Sequence, residues 1–205
     1  MPIKSNILFA VGLEVSKCYK YWPAWPNSGA ALQFGDLYIK TISKGQVTSV
    51  SGLTKRYLQA QVGKSGQTNQ VLQYQYTDWP DFGVPASPQP LVEMVKILRR
   101  EMSSRGGVGL VHCSAGVGRT GTMLALNKIM EDIDRGSDDI DVFNTVLSLR
   151  SERVFMVQKL VQYEFLHVCT DYYLRTKNVR KSHALDIASS YEHCISIDEE
   201  KEIDY

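Results

Sequence analysis

Val108-Gly109-Leu110-Val111-His112-Cys113-Ser114-Ala115-Gly116-Val117-Gly118-Arg119-Thr120-Gly121 is the stretch around which the rest of the chain is organised. Residues 108–112 read as a short strand and the middle is glycine-rich. The end opens a helix whose inward positions Met123, Leu126, Met130 and Ile133 recur at helical spacing. A strand handing over to a helix through small residues turns successive backbone N–H groups towards one point, at the positive end of that helix. The loop is shaped to hold an anion.

The pattern differs on either side of this unit. Between Leu37 and Tyr76 it has period two, with Leu58, Ala60 and Val62 set against Tyr57, Gln59 and Gln61, followed by Leu72, Tyr74 and Tyr76. Turns at Ser51-Gly52 and Gly63-Lys64-Ser65-Gly66 predict neighbouring antiparallel strands. The apolar run Ile7–Leu13 is far shorter than the ~20 residues of a membrane span and predicts another strand. From Pro90 a helical repeat of Leu91, Met94, Val95, Leu98 and Met102 runs to Gly106-Gly107. Two further helices are expected, one from a cap near Asp138–Asp141 to about Arg150. The other carries Val157, Val161, Phe165, Val168 and Tyr172 on one face. Periodicity then fades into the acidic residues Asp198, Glu199, Glu200, Glu202 and Asp204, so residues 1–176 are expected to form one domain and 177–205 a solvated tail.

Composition bounds the function. A chain of 205 residues with 43% apolar and 22% charged residues can bury a real core. Its 23 Lys and Arg against 22 Asp and Glu leave a formal charge of +1, which argues against a surface made for nucleic acid or anionic lipid. Cysteines 18, 113, 169 and 194 form no C-x-x-C pair and are too scattered for a disulfide framework, so a reducing, cytoplasmic setting without membrane insertion is expected.

Two chemistries can be laid on 112–121. Gly116, Gly118 and Gly121 spell G-x-G-x-x-G, the dinucleotide-binding fingerprint, but that motif requires a second parallel strand after its helix, where this sequence reads as helical. The other reading starts from Cys113 and Arg119, separated by five residues of which Ser114, Ala115, Gly116 and Gly118 are small. Arg119 can take two oxygens of one phosphate in a fork, beside the loop amides. The same field acts on Cys113: a free thiol titrates near ~8.5, and cationic or helix-terminus neighbours bring it to roughly 3.5–7.5. Taken alone, this spacing also suits a core cysteine and a surface arginine; the flanking His112, the glycines and the strand-to-helix context favour the phosphate cradle. Cleavage of a phosphate ester by a thiolate also needs an acid for the leaving oxygen. Trp79-Pro80-Asp81-Phe82-Gly83-Val84-Pro85 offers Asp81 between rigid neighbours and a glycine pivot, although the same residues would serve as an ordinary turn.

The run 112–121, the Trp-Pro-Asp loop and Lys17-Cys18-Tyr19-Lys20-Tyr21-Trp22-Pro23 together resemble the catalytic domain of cysteine-dependent protein tyrosine phosphatases. Phe34-Gly35-Asp36 and Met156-Val157-Gln158 followed by Gln162 agree, and the similarity spans roughly residues 5–175. The resemblance implies an α/β fold with a highly twisted mixed sheet flanked by helices and a helical C-terminal half. It implies Cys113 as nucleophile, with Arg119 binding phosphate and stabilising transition-state charge. Asp81 is then general acid and base, Thr120 serves the departing thiolate, and His112 sets the electrostatics of the cysteine. Gln158 positions the hydrolytic water with Gln162 assisting, while Ser114, Ala115, Gly116, Val117 and Gly118 bind phosphate through their backbone. Glu14 and Lys17 resemble the glutamate that pairs with the cradle arginine and the lysine that contacts the acid loop. No metal or organic cofactor is implied, and the partner is a phosphotyrosine protein. The family's N-terminal part, with its ring-stacking tyrosine loop, has no counterpart, so a truncated domain is expected. A binding module that captures phosphotyrosine without turnover is the competing class.

Overall fold

The computed structural model describes residues 6–11, 19–25, 31–63, 66–80, 82–106 and 108–177. The predicted first strand is β1 (Asn6–Val11), and β2 (Leu32–Phe34), β3 (Leu37–Gln46), β4 (Leu53–Val62) and β5 (Thr68–Tyr76) form the antiparallel meander. Helix α1 (Gln89–Arg105) leads to β6 (Gly109–His112), which leads to α2 (Gly118–Asp134), α3 (Val142–Glu152) and α4 (Leu160–Thr176). The sheet order is β2-β3-β4-β5-β1-β6, with β1 parallel to both β5 and β6. The mixed sheet expected from the resemblance is therefore present, and β1 joins the meander to the strand that carries Cys113.

Alternation along the strands separates the two faces. Ile7, Phe9 and Val11 of β1, with Leu72, Tyr74 and Tyr76 of β5, join the core formed with α1, α2 and α4; Phe9 and Tyr74 stack at 4.8 Å. On the opposite face Trp22 covers Ile39 and Leu58. The polar positions of β5 are buried on this side too, Gln73 at 0% exposure, because the segment around Trp22 lies over them. Buried amides need partners, and Gln73 has two: it accepts from Arg56 (3.2 Å) and donates to the Tyr21 hydroxyl (3.1 Å).

The expected helical faces need two corrections. In α1, Leu91, Met94, Val95 and Leu98 are buried as expected, but at the last turn Glu101 is buried and Met102 is partly exposed. Glu101 is accommodated because it accepts from Tyr74 (2.8 Å) and Arg105 (2.9 Å) and meets Lys55 at 3.4 Å. In α4 the buried stripe is Phe165, Leu166, Cys169, Tyr173 and Leu174. Val161 is exposed, Val168 and Tyr172 are half-buried, and Val157 lies before the helix. The inward positions of α2 are as expected, and Asp141 caps α3 through the Asn144 N–H (2.8 Å). Residues 178–205, where the sequence predicts a tail, lie outside the described residues.

Candidate active site

Strand β6 delivers His112 and then Cys113 at the mouth of the loop 114–117, and α2 begins at Gly118. Cys113 is buried at 8% exposure. Burial pushes its thiol up, but hydrogen bonds from the Thr120 side chain and from the backbone of Thr120, Gly116 and Val117 outweigh it and bring the thiol below its ordinary value. The Thr120 hydroxyl is buried and meets no oxygen or nitrogen partner among the described residues. By contrast, burial without such donors drives Cys169 far up, so it is a core thiol. The chemical contrast between the two cysteines comes from the loop.

Arg119, in the first turn of α2, is buried, and its guanidinium donates to the Trp79 carbonyl at 3.2 Å, tying the start of that helix to the root of the Trp-Pro-Asp loop. Trp79 is fully buried and donates to the Gly83 carbonyl across the loop (2.9 Å). Phe82 stands exposed at φ 61°. Asp81 itself, with Glu14, Lys17 and Cys18, lies outside the described residues.

The two glutamines are brought to the same place. A Cβ on Gly118 would stand 3.2 Å from the Gln162 amide and 3.4 Å from Gln158 Oε1, so both side chains reach the start of α2. Gln162 is buried and accepts from the backbone N–H groups of Gln158 (3.2 Å) and Lys159 (3.3 Å). It also reaches the Gly83 carbonyl at 3.5 Å, linking α4 to the Trp-Pro-Asp loop. At Gly121 only hydrogen fits, because a Cβ there would overlap the backbone nitrogen of Val157. Val157 N–H in turn donates to the Val117 carbonyl (3.2 Å).

Three residues that sequence reasoning did not single out act on this assembly. Tyr21 meets His112 Nε2 at 2.8 Å, while His112 Nδ1 faces the Cys113 carbonyl at 3.2 Å, so the buried row Arg56–Gln73–Tyr21 ends behind the cysteine. Arg153 donates to the Ala115 carbonyl (3.0 Å). Arg150 donates to the carbonyls of Met156 (2.9 Å) and Val157 (2.8 Å). Tyr21 sits in the quoted run 17–23; the arginines carry no local signal.

The dinucleotide alternative does not fit this frame. Among the described residues no strand follows α2, and Asp141, near the place where its acid would fall, begins a helix.

A buried thiol lowered by hydrogen bonds from a strand-to-helix loop, with a buried guanidinium in the first turn of that helix, forms a cysteine-centred candidate site on a mixed α/β sheet. The family model described as Protein-tyrosine phosphatase matches residues 8–172, and the chain belongs to that family. Receptor-type tyrosine-protein phosphatase V of Rattus norvegicus is 38% identical over 167 residues, covering 80% of this chain and 9% of the relative. Tyrosine-protein phosphatase 69D of Drosophila melanogaster is 36% identical, covering 74% of this chain and 10% of that protein. The human protein named Phosphatidylinositol phosphatase PTPRQ is 38% identical, with 75% and 6% covered. The chain thus spans a tenth or less of these relatives. No described helix is long and apolar enough to cross a membrane.

Proposed function

We propose that this domain hydrolyses phosphotyrosine in proteins through a cysteinyl-phosphate intermediate. The observation that carries the reading is the Cys113 thiol, lowered against its own burial by Thr120 and the loop backbone. In the first step the Cys113 thiolate attacks phosphorus, the S–P bond forms as the P–O bond to the tyrosyl group breaks, and Asp81 gives its proton to the leaving oxygen. Arg119 and the amides of 114–118 neutralise charge on the transferring phosphoryl group. In the second step a water positioned by Gln158, with Gln162 assisting, attacks phosphorus; the Asp81 carboxylate takes the water's proton, and S–P cleavage returns the thiolate, with the Thr120 hydroxyl stabilising it. His112, fixed by Tyr21, holds the cysteine backbone.

The same cradle accepts other phosphate monoesters, and one relative is named for phosphatidylinositol. A formal charge of +1 offers little attraction to an anionic lipid surface, which favours a protein substrate, encountered in the cytoplasm. The test is hydrolysis of an aryl phosphate, a phosphotyrosine peptide and a soluble phosphoinositide by wild type, Cys113→Ser and Asp81→Ala. The expected result is turnover of the aryl substrates, abolished by Cys113→Ser and reduced roughly 10²–10⁴-fold by Asp81→Ala with peptide binding retained. Saturable peptide binding with no phosphate release by the folded wild type would establish the non-catalytic class instead.

A further inference from the structure

The link between α3 and α4 (residues 153–159) holds two non-glycine residues in the left-handed region, Phe155 at φ 64° and Val157 at φ 58°. Val157 is β-branched, the kind of side chain least suited to that conformation, so the turn persists only because its surroundings hold it. The holding contacts are specific. Arg150, in the last turn of α3, reaches forward and places Nε on the Met156 carbonyl (2.9 Å) and a terminal nitrogen on the Val157 carbonyl (2.8 Å). On the other side of the same peptide, Val157 N–H is fixed to Val117 (3.2 Å), and the backbone rests on Gly121. The next residue is Gln158.

We infer that Arg150 is a positioning residue for the second chemical step. It holds the strained turn so that Gln158 faces the start of α2, and it contributes little to formation of the cysteinyl-phosphate. This inference rests on the reading above. Its physical basis is the separation of contacts: among the described residues the side-chain hydrogen bonds of Arg150 go to the turn that carries Gln158, whereas Cys113 is served by Thr120 and the loop backbone. A planar two-pronged donor is required, because an ammonium is a point charge that cannot span two successive carbonyls in the same fixed plane.

Rapid-quench kinetics with a phosphorylated aryl substrate, trapping the protein-bound phosphate by denaturation, separates the steps in wild type, Arg150→Lys, Arg150→Met and Gln158→Ala. Arg150→Lys keeps the charge and removes only the fork. Both Arg150 variants are expected to phosphorylate the cysteine within about twofold of the wild-type rate constant. Breakdown of the intermediate should slow roughly tenfold, so that phosphoprotein accumulates as it does in Gln158→Ala. A parallel fall in both steps, or unchanged breakdown in the two Arg150 variants, overturns the inference. Phosphate release with no trapped phosphoprotein in any arm, Gln158→Ala included, overturns the cysteinyl-phosphate reading and this inference with it. The Gln158→Ala arm therefore tells the two failures apart.

Discussion

Thr120 offers a direct handle on the cysteine. Its side chain and backbone, with the backbone of Gly116 and Val117, lower a thiol that burial alone would raise. Removing the hydroxyl in Thr120→Val should move the thiol back up. Because the thiolate becomes the major form only above the thiol's pKa, the pH midpoint for alkylation of Cys113 by iodoacetamide should shift to higher pH, and turnover should fall most steeply on the acid side. An unchanged midpoint would show that the backbone amides suffice. The parts of the site that lie together in sequence, Cys113 through Gly121, were legible before any fold was known, since one loop must both bend and present its amides. Tyr21, Arg150 and Arg153 were not, because their partners lie far away in sequence or on the backbone, and a guanidinium aimed at carbonyls leaves no motif.

At the level of elements, Glu101 joins α1 to the sheet through Lys55, Tyr74 and Arg105. Burial raises its carboxyl, but Arg105, Tyr74 and Lys55 together hold it below the usual range. Burial and the bond to Glu101 in turn push the Tyr74 phenol up to about 12. A carboxyl that titrates lower in the folded than in the unfolded chain contributes stability above the unfolded value, lost as pH falls through the folded one. Glu101→Gln should therefore cost about 2 kcal/mol at neutral pH and flatten the acid limb of the stability profile, measured by urea unfolding across pH. The sequence put Met102 on this face because hydropathy alone ranks methionine inside. It cannot register that a tyrosine hydroxyl and two cations await a carboxylate one position earlier. The shifted stripe of α4 has a similar origin: Val157 continued an apolar pattern across a left-handed turn that ends the helix in the N-terminal direction.

Seen whole, the sheet has one unusual border. Among the described residues β6 forms the outer strand beyond β1, with Leu110 59% and Val108 70% exposed. An apolar strand edge of this kind is a template for pairing with another chain. Leu110→Lys should reduce concentration-dependent association, followed by light scattering, while leaving aryl phosphate turnover within about twofold, since the side chain points away from Cys113's core face. Period-two and helical patterns made the strands and helices legible one by one. They could not announce that β1 lies between β5 and β6, because strand order depends on pairings that no local window contains. That insertion governs how the native state is reached. Ile7 pairs with Leu72 on one side and Gly109 on the other, so β1 bonds fully only after the meander and the strand leading to Cys113 have both been made. Closing such distant partners is the slow event in forming a fold. The lowered Cys113 thiol is therefore expected only once the long-range pairings around β1 lock, and in a partly folded chain Cys113 should alkylate as an ordinary cysteine.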